Sequence, residues 1–312
     1  MKLLSHFAAV AMAAAAVSSY ATIDRTVDKT FTVSGAGTLR LETQGGGITV
    51  NPGPDGVVKI TARERIRASS DAQADELLKD LDLAFDQSGN DVRAIAKYGG
   101  HRPSFHFGSW PPVNVDFTVT VPAAYALDLH TSGGGITVGD IAGPVFARTS
   151  GGGIHLGKLG GKVDAHTSGG GIHLDEARGE AKLDTSGGSI DVGRVAGPAD
   201  LSTSGGGIRI DAVMESLRAH TSGGSVRAKI VGPLKGDCSL STSGGGIRVS
   251  VGKTAAFRLD ASTSGGGVDA NGLSITLEGG NHGRNRLAGA VNGGGPLLKL
   301  RTSGGNIRID TE

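Results

Sequence analysis

Arg209, Arg227 and Arg248 occupy one position of a recurring unit, six residues after a threonine, and His155 and His173 hold the same position in earlier copies. In chain order the column reads Thr137, His155, His173, Asp191, Arg209, Arg227, Arg248, Asp269 and Arg308. If successive copies stack as neighbouring strands, like charges at that spacing repel, so the arginines either splay or share an anionic partner. Asp191 and Asp269 would neutralise part of the row, and a solvated face would need no partner at all. The two histidines would lie close enough to share a metal ion. Two ligands do not hold zinc, and the repeat fixes no third, so no metal site is expected.

Glycan hydrolysis needs two carboxylates flanking one bond. Asp164 and Asp200 share a column but lie two copies apart, about 9.6 Å at strand spacing, which is wide even for an inverting pair. Nothing near them would raise either pKa, and no Ser-His-Asp set converges. Cys238, the only cysteine, takes an aliphatic position and is expected to pack rather than react. The segment Gly99 to Pro112 is a candidate of another kind, with Phe105, Phe107 and the single tryptophan, Trp110, beside Arg102 and His106. Such aromatics suit a glycan or partner contact if exposed, and cap packing if not. No catalytic residue is assigned and no cofactor is expected.

What positions these residues is a repeat. Thr-Ser-Gly-Gly begins at Thr131, Thr149, Thr167, Thr185, Thr203 and Thr221 at intervals of 18 residues, then at Thr242, Thr263 and Thr302 after steps of 21, 21 and 39. A degenerate copy stands at Thr43-Gln44-Gly45-Gly46. A fixed period in this range marks an architecture whose units bury their apolar edges only against neighbours. Four and two residues before each threonine come apolar positions, such as Val163 and Ala165 or Leu298 and Leu300, with polar residues between them. Five residues after it stands Ile or Val in every copy, for example Ile154, Ile208 and Val226. Period-two alternation means half-buried strands.

The motif between these strands is therefore a corner, where glycine suits backbone angles that side chains forbid. At about 4.8 Å between coils, its Thr and Ser hydroxyls are placed to form ladders along the edge. The fold class expected is all-β: a parallel β-solenoid of about ten coils. The calcium-binding nonapeptide pattern fails because Ile154 and Ile172 stand where it requires glycine. A hexapeptide helix fails because no six-residue echo appears within the unit.

Three regions follow from composition. Residues 1–21 form an expected secretory signal, with Lys2, an apolar stretch from Phe7 to Val17 and a Ser19-Tyr20-Ala21 cleavage site. Residues 22–126 are irregular coils and a cap, with strands at Phe31 to Val33, Thr38 to Thr43, Ile48 to Val50 and Val57 to Ile66, and a hairpin turning at Ser88-Gly89-Asn90. A helix is expected over 70–81, capped by Ser70 with Gln73 three residues on, its face made by Ala74, Leu77, Leu78 and Leu81, covering one end of the solenoid. Residues 127–312 are the regular coils. The chain has 31 Lys and Arg against 30 Asp and Glu, a balance that gives no bulk attraction to nucleic acid or membrane. No segment after the signal reaches the roughly 20 apolar residues of a membrane span.

The chain resembles a family of exported Gly-rich β-strand-repeat proteins known as putative adhesins, a domain of unknown function. The resemblance rests on Thr43 to Val50, on Val119-Thr120-Val121-Pro122, on the repeated Thr-Ser-Gly-Gly-Gly-Ile and on Gly293 to Leu300. It implies a β-solenoid with no established catalysis and supplies no active site. The expected function is that of an exported, non-enzymatic envelope protein, periplasmic or at the cell surface, contacting a surface polysaccharide or another envelope protein. A polysaccharide-active β-helix enzyme and a passive spacer are the alternatives.

Overall fold

The computed structural model describes residues 21–99, 111–277 and 282–312. All of the expected signal but Ala21, and the aromatic residues Phe105, Phe107 and Trp110, lie outside them.

The chain is a parallel β-solenoid made of two facing sheets, of 13 and 14 strands. Each coil sends the strand before its Thr-Ser-Gly-Gly corner to the larger sheet and the strand after it to the smaller one. In the Thr149 coil these are Val145–Thr149 and Ile154–Leu159. Equivalent residues of successive coils pair directly, Val145 with Val163 and Thr149 with Thr167 in one sheet, Ile154 with Ile172 in the other. The alternation dictates what is inside: Val163, Ala165, Ile172 and Leu174 are at most 1% exposed. The two coils lengthened to 21 residues take up their extra residues in the opposite corner, at 231–237 and 252–256, and leave the Gly corner unchanged.

The Gly corner works differently from the sequence expectation in two respects. Its glycines do not adopt left-handed angles: the glycines at positive φ among the described residues are Gly56, Gly89, Gly232, Gly272, Gly293, Gly294 and Gly295. Close stacking is the reason instead. A Cβ on Gly152 would stand 2.1 Å from the Gly134 carbonyl oxygen of the preceding coil, and one on Gly188 2.2 Å from that of Gly170. Nor do corner hydroxyls bond one another. In all nine Thr-Ser-Gly-Gly copies the buried threonine Oγ1 donates to a corner carbonyl of the adjacent coil, at 2.6–2.8 Å. In the Thr149 corner that same hydroxyl accepts from Gly152 N at 3.3 Å. Threonine is thus a rivet between coils, satisfying backbone groups that the corner would otherwise bury unpaired.

Toward the N-terminus the parallel order gives way to antiparallel strands. Ala21–Thr32 pairs with Val57–Ala68, which pairs with Val113–Pro122, while Leu81–Ser88 and Asp91–Tyr98 form a hairpin on the other sheet. The helix joining the two sheets runs Asp71–Leu78, shorter than expected, because Leu81 already opens the hairpin by pairing with Tyr98. Ser70 Oγ accepts from Gln73 N at its start, and Ala74 is buried beneath it. Among the described residues no helix is long and apolar enough to cross a membrane.

At the C-terminal end the coils leave sequence order. Leu297–Thr302 lies between Cys238–Thr242 and Phe257–Thr263, and Ile307–Thr311 lies between Ile247–Val251 and Val268–Asn271. The last coil of the chain is therefore inserted one place inward. Burial fits this order: Leu298, Leu300, Ile307 and Ile309 are fully buried, whereas Val268 and Ala270 of the displaced coil are only partly buried at the end. The more apolar coil takes the interior place.

Candidate functional site

The insertion reshapes the arginine row. Sequence order sets Arg248 beside Asp269, but Arg248 pairs in register with Arg308, and Asp269 lies beyond Arg308. On the other side Arg227 neighbours both Arg209 and Arg248, and Arg209 neighbours Asp191. Four guanidinium-bearing strands thus stand side by side, with an aspartate at each end. Strands hold the row because the apolar residues flanking each arginine, such as Ile208 and Ile210, are buried and turn the arginine outward.

Two aspartates on the same face organise the row. Arg209 Nε bonds Asp211 Oδ1 at 2.9 Å, and Asp310 stands 3.5 Å from Arg308 Nε and 4.0 Å from Arg248 Nε. Only the Arg209 contact is a hydrogen bond, and among the described residues the terminal Nη groups of the three arginines have none from the protein. Arg227 has no carboxylate partner there; its neighbour Lys229 is held by Glu312. On the corner side the row borders a groove of about 490 Å³, where Ser189, Ser225 and Asn306 alternate with glycines. Their side chains accept from the next coil's backbone: Gly207 N to Ser189 Oγ at 3.3 Å, Gly246 N to Ser225 Oγ at 3.2 Å and Gly267 N to Asn306 Oδ1 at 2.9 Å.

Other predicted residues are placed less suggestively. His155 and His173 are neighbours with ring centroids 6.3 Å apart, and His173 is tied to Asp175 at 3.0 Å. They share the smaller sheet with the arginines but are separated from them by Asp191. Among the described residues no three His, Cys, Asp or Glu side chains are grouped to hold a metal. Asp164 and Asp200 flank Lys182, which pairs in register with both, so the two carboxylates lie on strands separated by a lysine-bearing one. Cys238 is 1% exposed, and burial pushes its thiol pKa up, which leaves it a packing residue.

Sequence reasoning missed the place of Arg308 and the roles of Asp211 and Asp310. The second was within reach: each aspartate sits two residues after an arginine on a strand, hence on the same face. Two further electrostatic sites are structural. Glu64, 6% exposed, is pushed above its ordinary pKa by burial, against the pull of Arg25. Burial also pushes Asp128 up, but hydrogen bonds from Arg40 and His130 outweigh it, so this carboxyl lies below its usual value.

Residues 48–310 match the family model described as Toastrack DUF4097. Solved structures similar to the chain include a putative adhesin from Bacteroides fragilis, 11% identical with a TM-score of 0.38, the match covering 91% of this chain and 97% of that one. A putative lipid binding protein from Parabacteroides distasonis is 11% identical with a TM-score of 0.36, covering 91% and 96%. A putative cell adhesion protein from Clostridium sporogenes is 11% identical with a TM-score of 0.23, covering 92% and 100%. No curated protein is a match.

Proposed function

The chain belongs to the Toastrack DUF4097 family, and from that premise we propose that it is an exported, non-enzymatic binding protein of the cell envelope that engages an anionic surface polymer through Arg209, Arg227, Arg248 and Arg308. The observation that carries this reading is the row itself: four arginines on consecutive strands, with no protein hydrogen bond to their terminal Nη groups among the described residues. Packing alone gives no reason to set like charges side by side. An anion spanning them offsets the repulsion, and guanidinium Nη groups are suited to oxyanions. Lys182 stands in register between Asp164 and Asp200 and sets their strands two spacings apart, about 9.6 Å, which speaks against a glycan hydrolase on the opposite sheet, since such chemistry needs both carboxylates to flank one bond.

The test is binding to extracted envelope polymers by wild type and by a variant with Arg209, Arg227 and Arg248 changed to Ser, both first shown to have the same circular dichroism. The proposal expects binding to fall at least about tenfold, the scale of losing one or more charge-assisted hydrogen bonds. Unaltered binding rejects the row as the site. The segment carrying Phe105, Phe107 and Trp110 is a second proposed contact, and His155 and His173 a third. Trp110→Ala and His155→Ala with His173→Ala test them in the same assay, where unchanged affinity removes each from the surface.

A further inference from the structure

The row has two ends, and the groove beside it has a period. Resting on the reading above that the row binds anions, we propose that the groove takes a segment of about four successive units of an extended acidic glycan, laid along the solenoid axis, its length limited by Asp191 and Asp269.

The period selects the ligand class. Neighbouring arginines lie in register on parallel strands, which spaces them by about 4.8 Å and makes the row about 14 Å long. An acidic peptide in extended conformation repeats on one face about every 6.6 Å, so it drifts out of step within two coils. A single-stranded nucleic acid is held chiefly by aromatic stacking platforms, and the groove's described lining carries no aromatic residue. One pyranose in an extended chain advances by close to one strand spacing, and although successive sugars of a two-fold chain turn their acidic groups to opposite edges, arginines that splay to alternate sides meet one acidic group per coil. The corner side of the groove suits a sugar face, because glycines leave room while Ser189, Ser225 and Asn306 offer small polar groups.

The ends select the length. Asp191 precedes Arg209 and Asp269 follows Arg308 in the same column, and both line the groove. A fifth carboxylate at either end would meet an aspartate rather than an arginine. Asp269 ends the row after four arginines only because the last coil is inserted inward. In sequence order it would directly follow Arg248, leaving three before it.

The test is calorimetric titration with oligomannuronates of increasing length at low salt, on the full mature chain. Affinity should climb with each added unit up to about the tetramer and then level. Asp191→Asn with Asp269→Asn should move the plateau to longer oligomers, and Arg227→Gln should weaken all lengths about tenfold or more. Affinity that is flat from the dimer onward, a plateau unmoved in the aspartate variant, or poly-L-glutamate competing as well as the glycan would overturn this inference while leaving the arginine row as an anion site. Failure of every oligomer to bind, or indifference to Arg227→Gln, would overturn both.

Discussion

At the scale of single residues the corner sets the tolerances. Thr167 Oγ1 donates to Gly152 O at 2.7 Å in a fully buried position, so Thr167→Val keeps the shape and strands a carbonyl. That should cost about 1–3 kcal/mol, measured as a lowered melting temperature. Gly170→Ala puts a Cβ 2.4 Å from the Gly152 carbonyl oxygen, with no flexible side chain to yield. The coils must part there, and the loss should equal or exceed that of Thr167→Val. Glu64 gives a pH signature of known sign. Its folded pKa lies above the unfolded one because of burial, so the folded state binds the proton more tightly and stability falls as pH rises through that window. Glu64→Gln should therefore raise the melting temperature at neutral pH and leave it nearly unchanged in acid, below both values. Asp128 works oppositely: its lowered pKa means stability present at neutral pH and lost as pH falls through the folded value. A neutral-pH melt of Glu64→Gln no higher than wild type would contradict the assignment.

At the scale of elements, the strands were legible because side chains alternate with period two and the same apolar columns recur in every copy. Helix capping was legible too, since Ser70 and Gln73 are a local signal. The reason for the corner glycines was not, because a carbonyl 2.1 Å from a hypothetical Cβ belongs to another coil, and sequence periodicity carries no inter-coil distance. Coil order was hidden for a related reason. Copies that look alike specify that they stack but not on which neighbour, and only the burial contrast between Ile307 and Val268 separates the final two. The inserted coil should hold its displaced neighbour in place. Leu300→Ala with Ile309→Ala removes fully buried side chains, each worth about 2–5 kcal/mol, between two stacked coils. Hydrogen exchange at 257–271 should accelerate far more than at 145–177, since a solenoid transmits such losses chiefly to adjacent coils. Equal acceleration along the whole chain would mean that the stack does not behave as a one-dimensional array.

At the scale of the whole molecule, the fold is a ruler. Parallel coils in register convert sequence columns into straight rows of side chains, and the C-terminal insertion turns a basic column into four consecutive arginines bounded by aspartates. Net charge near zero gives no hint of this, because charge is arranged rather than accumulated. The larger sheet shows the contrasting arrangement, Asp164, Lys182, Asp200 and Arg218 alternating in sign along one row. Electrostatic capture of a polymer by the arginine row should be strongly salt-dependent, through release of the counterions that each neutralised charge had held. The most direct measurement is the affinity of the protein for an acidic glycan across a range of salt concentrations, wild type against Arg227→Gln. The account predicts affinity falling steeply with salt, with a slope worth several released ions that drops by about one in the variant. A slope near zero, or one that Arg227→Gln leaves unchanged, would contradict it.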